Sequence, residues 1–225
     1  MTGNAPATEV YNRLVSTLQP VTGQTLRAAA DGLVRAGRKF DQRGWVSGTS
    51  GNFSMVLERN PLRLAITPSS TFKGELEPEQ ILEMDEHARP VAPGASRPSA
   101  EAALHVEIVR GRGAGAVLHT HSIWSTLLSD EHGDNGGLTI EGYEMLKGLE
   151  GVKTHEHREW LPIIENDQDM SRLSPIVRDT LERHPAAHGF LIRRHGMYTW
   201  GTDLSQAIRH VEILEFLLEI VGRRR

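Results

Sequence analysis

The stretch Val117-Leu118-His119-Thr120-His121-Ser122 constrains this chain more than any other. The apolar run Ala116, Val117, Leu118 follows a break at Gly111–Gly115 and reads as a buried strand over Ala116–His121. Successive side chains of a strand point to opposite faces, so His119 and His121 share a face and can offer two imidazoles to one ion. Two ligands do not make a site: zinc takes a third protein ligand and, where catalytic, keeps a position open. The sequence has no cysteine, which excludes thiolate ligands and disulfides and leaves His, Asp and Glu to hold any metal. His195, in Arg193-Arg194-His195-Gly196, is the candidate third ligand, at a turn where an imidazole beside glycine can project. A second His-x-His, His155 and His157, lies in the charged stretch KTHEHREW and reads as solvated loop. His87, His105, His132, His184, His188 and His210 read as surface or structural.

Around this strand the pattern is mixed α and β. Residues 1–22 are polar and read as an N-terminal arm, with one short helix over Val10–Leu18; residues 23–225 read as a single domain. Leu26, Ala30, Leu33, Gly37 and Phe40 mark a helix face. Phe53–Leu57 and Leu62–Thr67 read as strands joined near Asn60-Pro61, and Glu77–Met84 as a helical or turn segment. A Pro-rich connection over 88–99 leads to a helix over Ala100–Arg110, with Ser99 as its cap. Further helices are expected over 123–129, Glu141–Leu149 and Leu173–His184, with a loop over 130–137 and a mixed, charged segment over 151–170. Gly189–Arg193 and Met197–Trp200 read as strands flanking the His195 turn. Asp203 caps a last helix in a capping-box arrangement with Gln206, and Leu204, Ile208, Val211, Leu214 and Leu218 form its stripe. This order fits an α/β fold with a mixed or antiparallel central sheet.

Composition narrows the function classes. The net charge of -4 gives no nucleic-acid footprint. No apolar run is long enough to span a membrane, and the N-terminus lacks a signal peptide's basic and apolar regions. A reducing cytoplasm fits the missing cysteines, and any phosphate site must be local. Gly48-Thr49-Ser50-Gly51-Asn52 exposes backbone N–H groups, two hydroxyls and an amide, a run of donors suited to phosphate. Pro68-Ser69-Ser70-Thr71-Phe72-Lys73 adds Ser69, Ser70 and Lys73. Neither is a Walker motif or a dinucleotide fingerprint. Glu101, at the start of a helix, and Glu144, in GYEMLKG, are carboxylates that could ligate a metal or move a proton beside a polarised carbonyl.

Taken in order, GTSGNFS, ITPSS with Lys73, PSAEAALH, GAVLHTHS, YEMLKG, PIIEN and RRHGMYTWG resemble the class II aldolase/adducin family, from about Gln24 to the final helix. EMLKG and PIIEN favour its branch of dehydratases acting on a methylthio-substituted ketose phosphate. The resemblance implies a three-layer α/β/α fold with a nine-stranded, mainly antiparallel sheet, and usually a tetramer with sites between subunits. It implies one Zn2+ per subunit on His119, His121 and His195. Glu101 matches the ligand and base of the aldolases, and Glu144 the acid/base of the dehydratases. Thr49, Ser50, Gly51, Asn52, Ser69 and Ser70 would hold the phosphate of a small phosphorylated ketose, with Ser99 a further contact; Ala100 stands where the aldolases often carry a second serine. Phe72, Met145 and Tyr198 are candidates for the methylthio pocket. The other readings are a sugar-phosphate aldolase or 4-epimerase on the same scaffold, and an adducin-like interaction module. The last requires a broken histidine triad, and here all three positions are filled.

Overall fold

The computed structural model describes residues 25–92, 94 and 96–224; the expected arm over 1–22 lies outside them. Helix α1 (Leu26–Gln42) begins at Thr25, whose hydroxyl accepts from Ala28 N–H, and turns Ala29, Ala30, Leu33, Val34 and Phe40 inward. Strands β1 (Asn52–Arg59) and β2 (Leu62–Ile66) form an antiparallel hairpin around Asn60-Pro61. β3 (Leu82–Asp85) follows two short 3-10 turns, Lys73–Glu75 and Pro78–Gln80. Glu77–Met84 is therefore half turn and half edge strand rather than helical, because Leu82 and Met84 alternate inward against β2.

Helix α2 (Ala102–Arg112) ends at Gly113 in the left-handed conformation, and β4 (Ala116–Thr120) follows. α2 starts two residues later than the sequence suggested, with Glu101 as its N-cap. Ser99 still serves the helix entrance, since its hydroxyl accepts from Glu101 N–H. Next come α3 (Ile123–Glu131), capped by Ser122, and β5 (Gly137–Glu141). A 3-10 turn (Glu144–Gly148) precedes β6 (Arg158–Ile164). β5 and β6 are corrections to a region read as loop, helix and mixed segment: each strand is defined by pairing with the other, which local pattern does not reveal. α4 (Met170–Arg183), β7 (Gly189–Ile192), β8 (Gly196–Gly201) and α5 (Leu204–Arg223) complete the order. Asp203 accepts from Gln206 N–H, while the Gln206 side chain turns back to Thr202 rather than to the cap residue.

The sheet runs β3-β2-β1-β4-β8-β7-β6-β5 and is antiparallel except between β6 and β7. Among the described residues it has eight strands, one fewer than the family resemblance implied, with the three-layer α/β/α architecture retained. One apolar layer packs α1 and α5 against Phe53, Met55, Ala116, Leu118 and Met197. The other packs α2 and α4 against Val56, Leu64, Val117, Phe190 and Tyr198. β4 thus sends Ala116, Leu118 and Thr120 to one layer, and Val117 and His119 to the other. Thr120 donates to Glu215 of α5 at 2.9 Å.

Candidate active site

Three elements bring the histidines together. His119 ends β4 opposite Tyr198 of β8. His121 lies just beyond the strand, held by its N–H to the Trp45 carbonyl at 2.8 Å. His195 sits in the β7–β8 turn, tied by its N–H to Ile192 O and by its carbonyl to the Thr126 hydroxyl of α3. Gly196 makes the approach possible. A Cβ there would run into the Thr120 carbonyl and press on both histidine rings.

The Nε2 atoms of His119 and His121 lie 2.8 Å apart and those of His119 and His195 3.4 Å apart. Tetrahedral zinc with bonds of about 2.0–2.1 Å holds its nitrogens about 3.3 Å from one another, so the spacing is of the size an ion would require. His119 Nδ1 donates to the Met197 carbonyl at 3.0 Å, which leaves Nε2 of the neutral ring with its lone pair inward. Burial, then the neighbouring rings of His121 and His195, hold the His119 pKa well below the usual range. Burial, with His195 and Lys73 behind it, pushes His121 down to about 4. Neutral, convergent imidazoles could hold a metal ion, and the donor types fit a divalent metal.

Glu101 joins this cluster. Its Oε1 lies 3.2 Å from His195 Nε2 and its Oε2 3.6 Å from His119 Nε2. The carboxylate is gripped by the Asn52 side-chain amide at 2.7 Å. Asn52 is buried, and its oxygen faces His105 Nε2 while its nitrogen also reaches Ser99 Oγ at 3.4 Å. Its amide is thus engaged inside the protein, whereas the sequence reading gave it to phosphate. Gly51 keeps this loop against β4: with φ +74, it lies where a Cβ would meet the His119 carbonyl at 2.7 Å.

The remaining phosphate candidates are brought to one corner. Lys73 is buried and donates to the carbonyls of Thr49 at 2.9 Å and Thr71 at 2.8 Å, joining the two Ser/Thr loops. Burial lowers its pKa to about 8. Gly37 of α1 admits this segment, since a side chain there would collide with the Lys73 carbonyl. Ser69 N–H bonds to Arg97 O, which draws in the Ser99 segment. Ser69 and Ser70 are exposed, and Ser70 holds φ 57, a conformation costly for a residue with a Cβ. The Ser50 hydroxyl is buried without a hydrogen-bond partner.

Glu144 lies elsewhere in the subunit. It is exposed on the 3-10 turn after β5, paired with Lys147 and 4.0 Å from His155. Of the methylthio-pocket candidates, Phe72 and Met145 are exposed, but Tyr198 is buried behind His119, stacked on its ring at 3.9 Å. Tyr198 backs His119 on one side and stacks on Phe190, so it has no open face for substrate. His105 and Ser54 were the residues the sequence reading missed. The spacing Asn52-x-Ser54 against Glu101-x-x-x-His105 is the signal that carries them.

A second group, His157, Glu159 and His188, lies near the other end of β8; the two histidines line a cavity of about 430 Å³ and Glu159 is buried beside them. Glu159 Oε2 faces His157 Nε2 at 2.8 Å and His188 Nδ1 at 3.0 Å, while His188 Nε2 faces the Glu150 carbonyl. Although burial opposes it, Glu159 raises the His188 pKa. An imidazolium satisfies every one of these acceptors, so this cluster is a buried ion pair tying β6 to β7.

The chain matches the class II aldolase and adducin N-terminal domain over residues 31–221. It belongs to that family. It is 45% identical over 192 residues to a methylthioribulose-1-phosphate dehydratase of Methylococcus capsulatus, covering 85% of this chain and 91% of the relative. A methylthioribulose-1-phosphate dehydratase of Granulibacter bethesdensis is 45% identical over 202 residues, covering 88% and 92%. Among solved structures, the L-fuculose-1-phosphate aldolase of Thermus thermophilus superposes with TM-score 0.69 at 25% identity, covering 88% of this chain and 96% of that one. Among the described residues no helix is long and apolar enough to cross a membrane.

Proposed function

We propose that the chain is a zinc-dependent hydro-lyase that converts 5-methylthioribulose 1-phosphate to 5-methylthio-2,3-dioxopentyl phosphate and water. The observation that carries this reading is 45% identity over about nine-tenths of the length of relatives named for that activity. The converged histidines supply a centre for it. On this reading the enzyme acts in cytoplasmic methionine salvage, as a homo-oligomer with one zinc per subunit.

His119, His121 and His195 would hold the ion, which supplies Lewis acidity to the C2 carbonyl oxygen and so acidifies the C3 proton. Glu101 is the carboxylate that the chain's own fold delivers to this centre, and its Oε1 is placed to take a proton. The C3–H pair becomes the C2–C3 double bond as the carbonyl pair moves onto the C2 oxygen; when that carbonyl re-forms, the C2–C3 pair becomes the C3–C4 double bond, the C4–O bond breaks, and the leaving hydroxide takes a proton to depart as water. The resulting C3 enol gains a proton at C4, gives up its hydroxyl proton and becomes the second ketone. The Ser/Thr loops braced by Lys73 would hold the phosphate through backbone N–H groups and hydroxyls.

Glu144 fits the acid/base role only by reaching the site of a neighbouring subunit, as sites between subunits would allow. Mixed oligomers of Glu144→Gln and His195→Ala, each inactive alone, should then recover turnover. No recovery removes Glu144 from a neighbouring subunit's site, and an active Glu144→Gln removes it from the chemistry. The activity itself is tested by incubating purified protein with the ketose phosphate and following the diketone. Loss of the signal on zinc chelation and recovery on readdition are expected. Aldehyde and triose-phosphate products would instead establish an aldolase.

A further inference from the structure

β1 and α2 face each other with matched spacing. Two residues of strand advance about 6.6 Å and four of helix about 6 Å, so Asn52 and Ser54 lie opposite Glu101 and His105. The contacts follow that register. Ser54 Oγ is 2.7 Å from His105 Nδ1, His105 Nε2 bonds to Asn52 Oδ1, and Asn52 Nδ2 donates to Glu101 Oε2 at 2.7 Å. Ser54 and His105 are fully buried, and Asn52 nearly so.

The proton on each link can be deduced. Asn52 Nδ2 donates to Glu101 Oε2, which turns the amide oxygen to His105. His105 Nε2 must then carry a proton. Burial pushes the His105 pKa down to about 3, so the ring is neutral and Nδ1 is bare. The Ser54 hydroxyl must therefore donate to Nδ1. Reversing the Asn52 amide sets its oxygen against the Glu101 carboxylate and its NH2 group against the His105 Nε2–H in a dry interior.

We propose that His105 is a positioning residue: its Nε2–H locks the Asn52 amide so that Glu101 Oε2 is held and Oε1 is left facing the histidine cluster. Without His105 the Asn52 oxygen has no donor to hold it. Asn52 can then invert and turn its oxygen on Glu101. The inference rests on the catalytic reading of Glu101, but its first test does not need turnover.

Neutron diffraction from deuterium-exchanged crystals of the full chain near neutral pH reads the tautomer directly. A deuteron on His105 Nε2, none on Nδ1 and one on Ser54 Oγ directed at Nδ1 are expected. A deuteron on Nδ1 with a bare Nε2 overturns the proposal, whatever the chain catalyses. His105→Phe should then lower kcat by about 10–100-fold, the range for losing a partner that orients a group at a metal site, with KM and zinc content within about twofold of the parent. Unchanged kcat in that variant also overturns it. A parent with no dehydratase activity but the expected deuterons would fail the functional reading alone.

Discussion

Gly196→Ala tests how the metal centre is assembled. The added methyl would meet the Thr120 carbonyl well inside normal contact, and would lie 3.1 Å from His119 Cε1 and 3.2 Å from His121 Cδ2. The nearest neighbour is backbone in the central strand β4, paired on both sides, so it cannot swing away as a side-chain tip can. The β7–β8 turn must move instead, by about 1 Å, and His195 moves with it. Overpacking of this kind costs about 1–3 kcal/mol, which for a domain of this size lowers Tm by about 2–12 °C. At the proposed zinc site, displacing His195 by that distance should weaken zinc binding by about 10–100-fold, with a comparable loss in kcat/KM. Chelator competition measures the first effect and thermal unfolding of the zinc-free protein the second. Zinc affinity within about twofold of the parent, with unchanged Tm, would refute the claim that glycine is required for the turn to reach the histidine pair.

Glu159→Gln should cost about 3–5 kcal/mol, because it leaves the buried His188 charge without its partner. Although burial opposes both shifts, the histidines lower the Glu159 pKa through their hydrogen bonds, and Glu159 raises that of His188. The carboxylate's contribution is lost as pH falls below its ordinary value of 4.5, and the imidazolium's as pH rises above 6.5. Urea unfolding should therefore show the widest gap between parent and variant in that window, and a pH-independent gap would contradict the ion pair. Lys73→Met should leave zinc content unchanged and raise KM for the ketose phosphate by about tenfold or more, since it removes both the brace between the Ser/Thr loops and the nearby positive charge. An unaltered KM would show that those loops do not need the lysine.

Much of the centre was legible in the sequence because it depends on local periodicity. A short apolar strand ending in His119-Thr120-His121 sends both imidazoles to one face, and Gly51 and Gly196 mark places where backbone comes close. β5 and β6 were not legible: each is short, interrupted by glycine, proline or charge, and stabilised by pairing across distant chain. β3 was misread for the same reason, since only its partner β2 shows that Leu82 and Met84 point inward.

The chain by itself determined the donor types: no thiol, three well-placed histidines and loops rich in backbone donors. Tertiary structure alone decided that Asn52 is committed to Glu101. It also decided that His157 and His188 close on the buried Glu159 carboxylate and that Glu144 faces solvent within its own subunit. The physical reason is that strand and helix repeats fix the direction of a side chain relative to its own backbone, whereas its partner, desolvation and proton are set by elements that fold against it from far along the sequence.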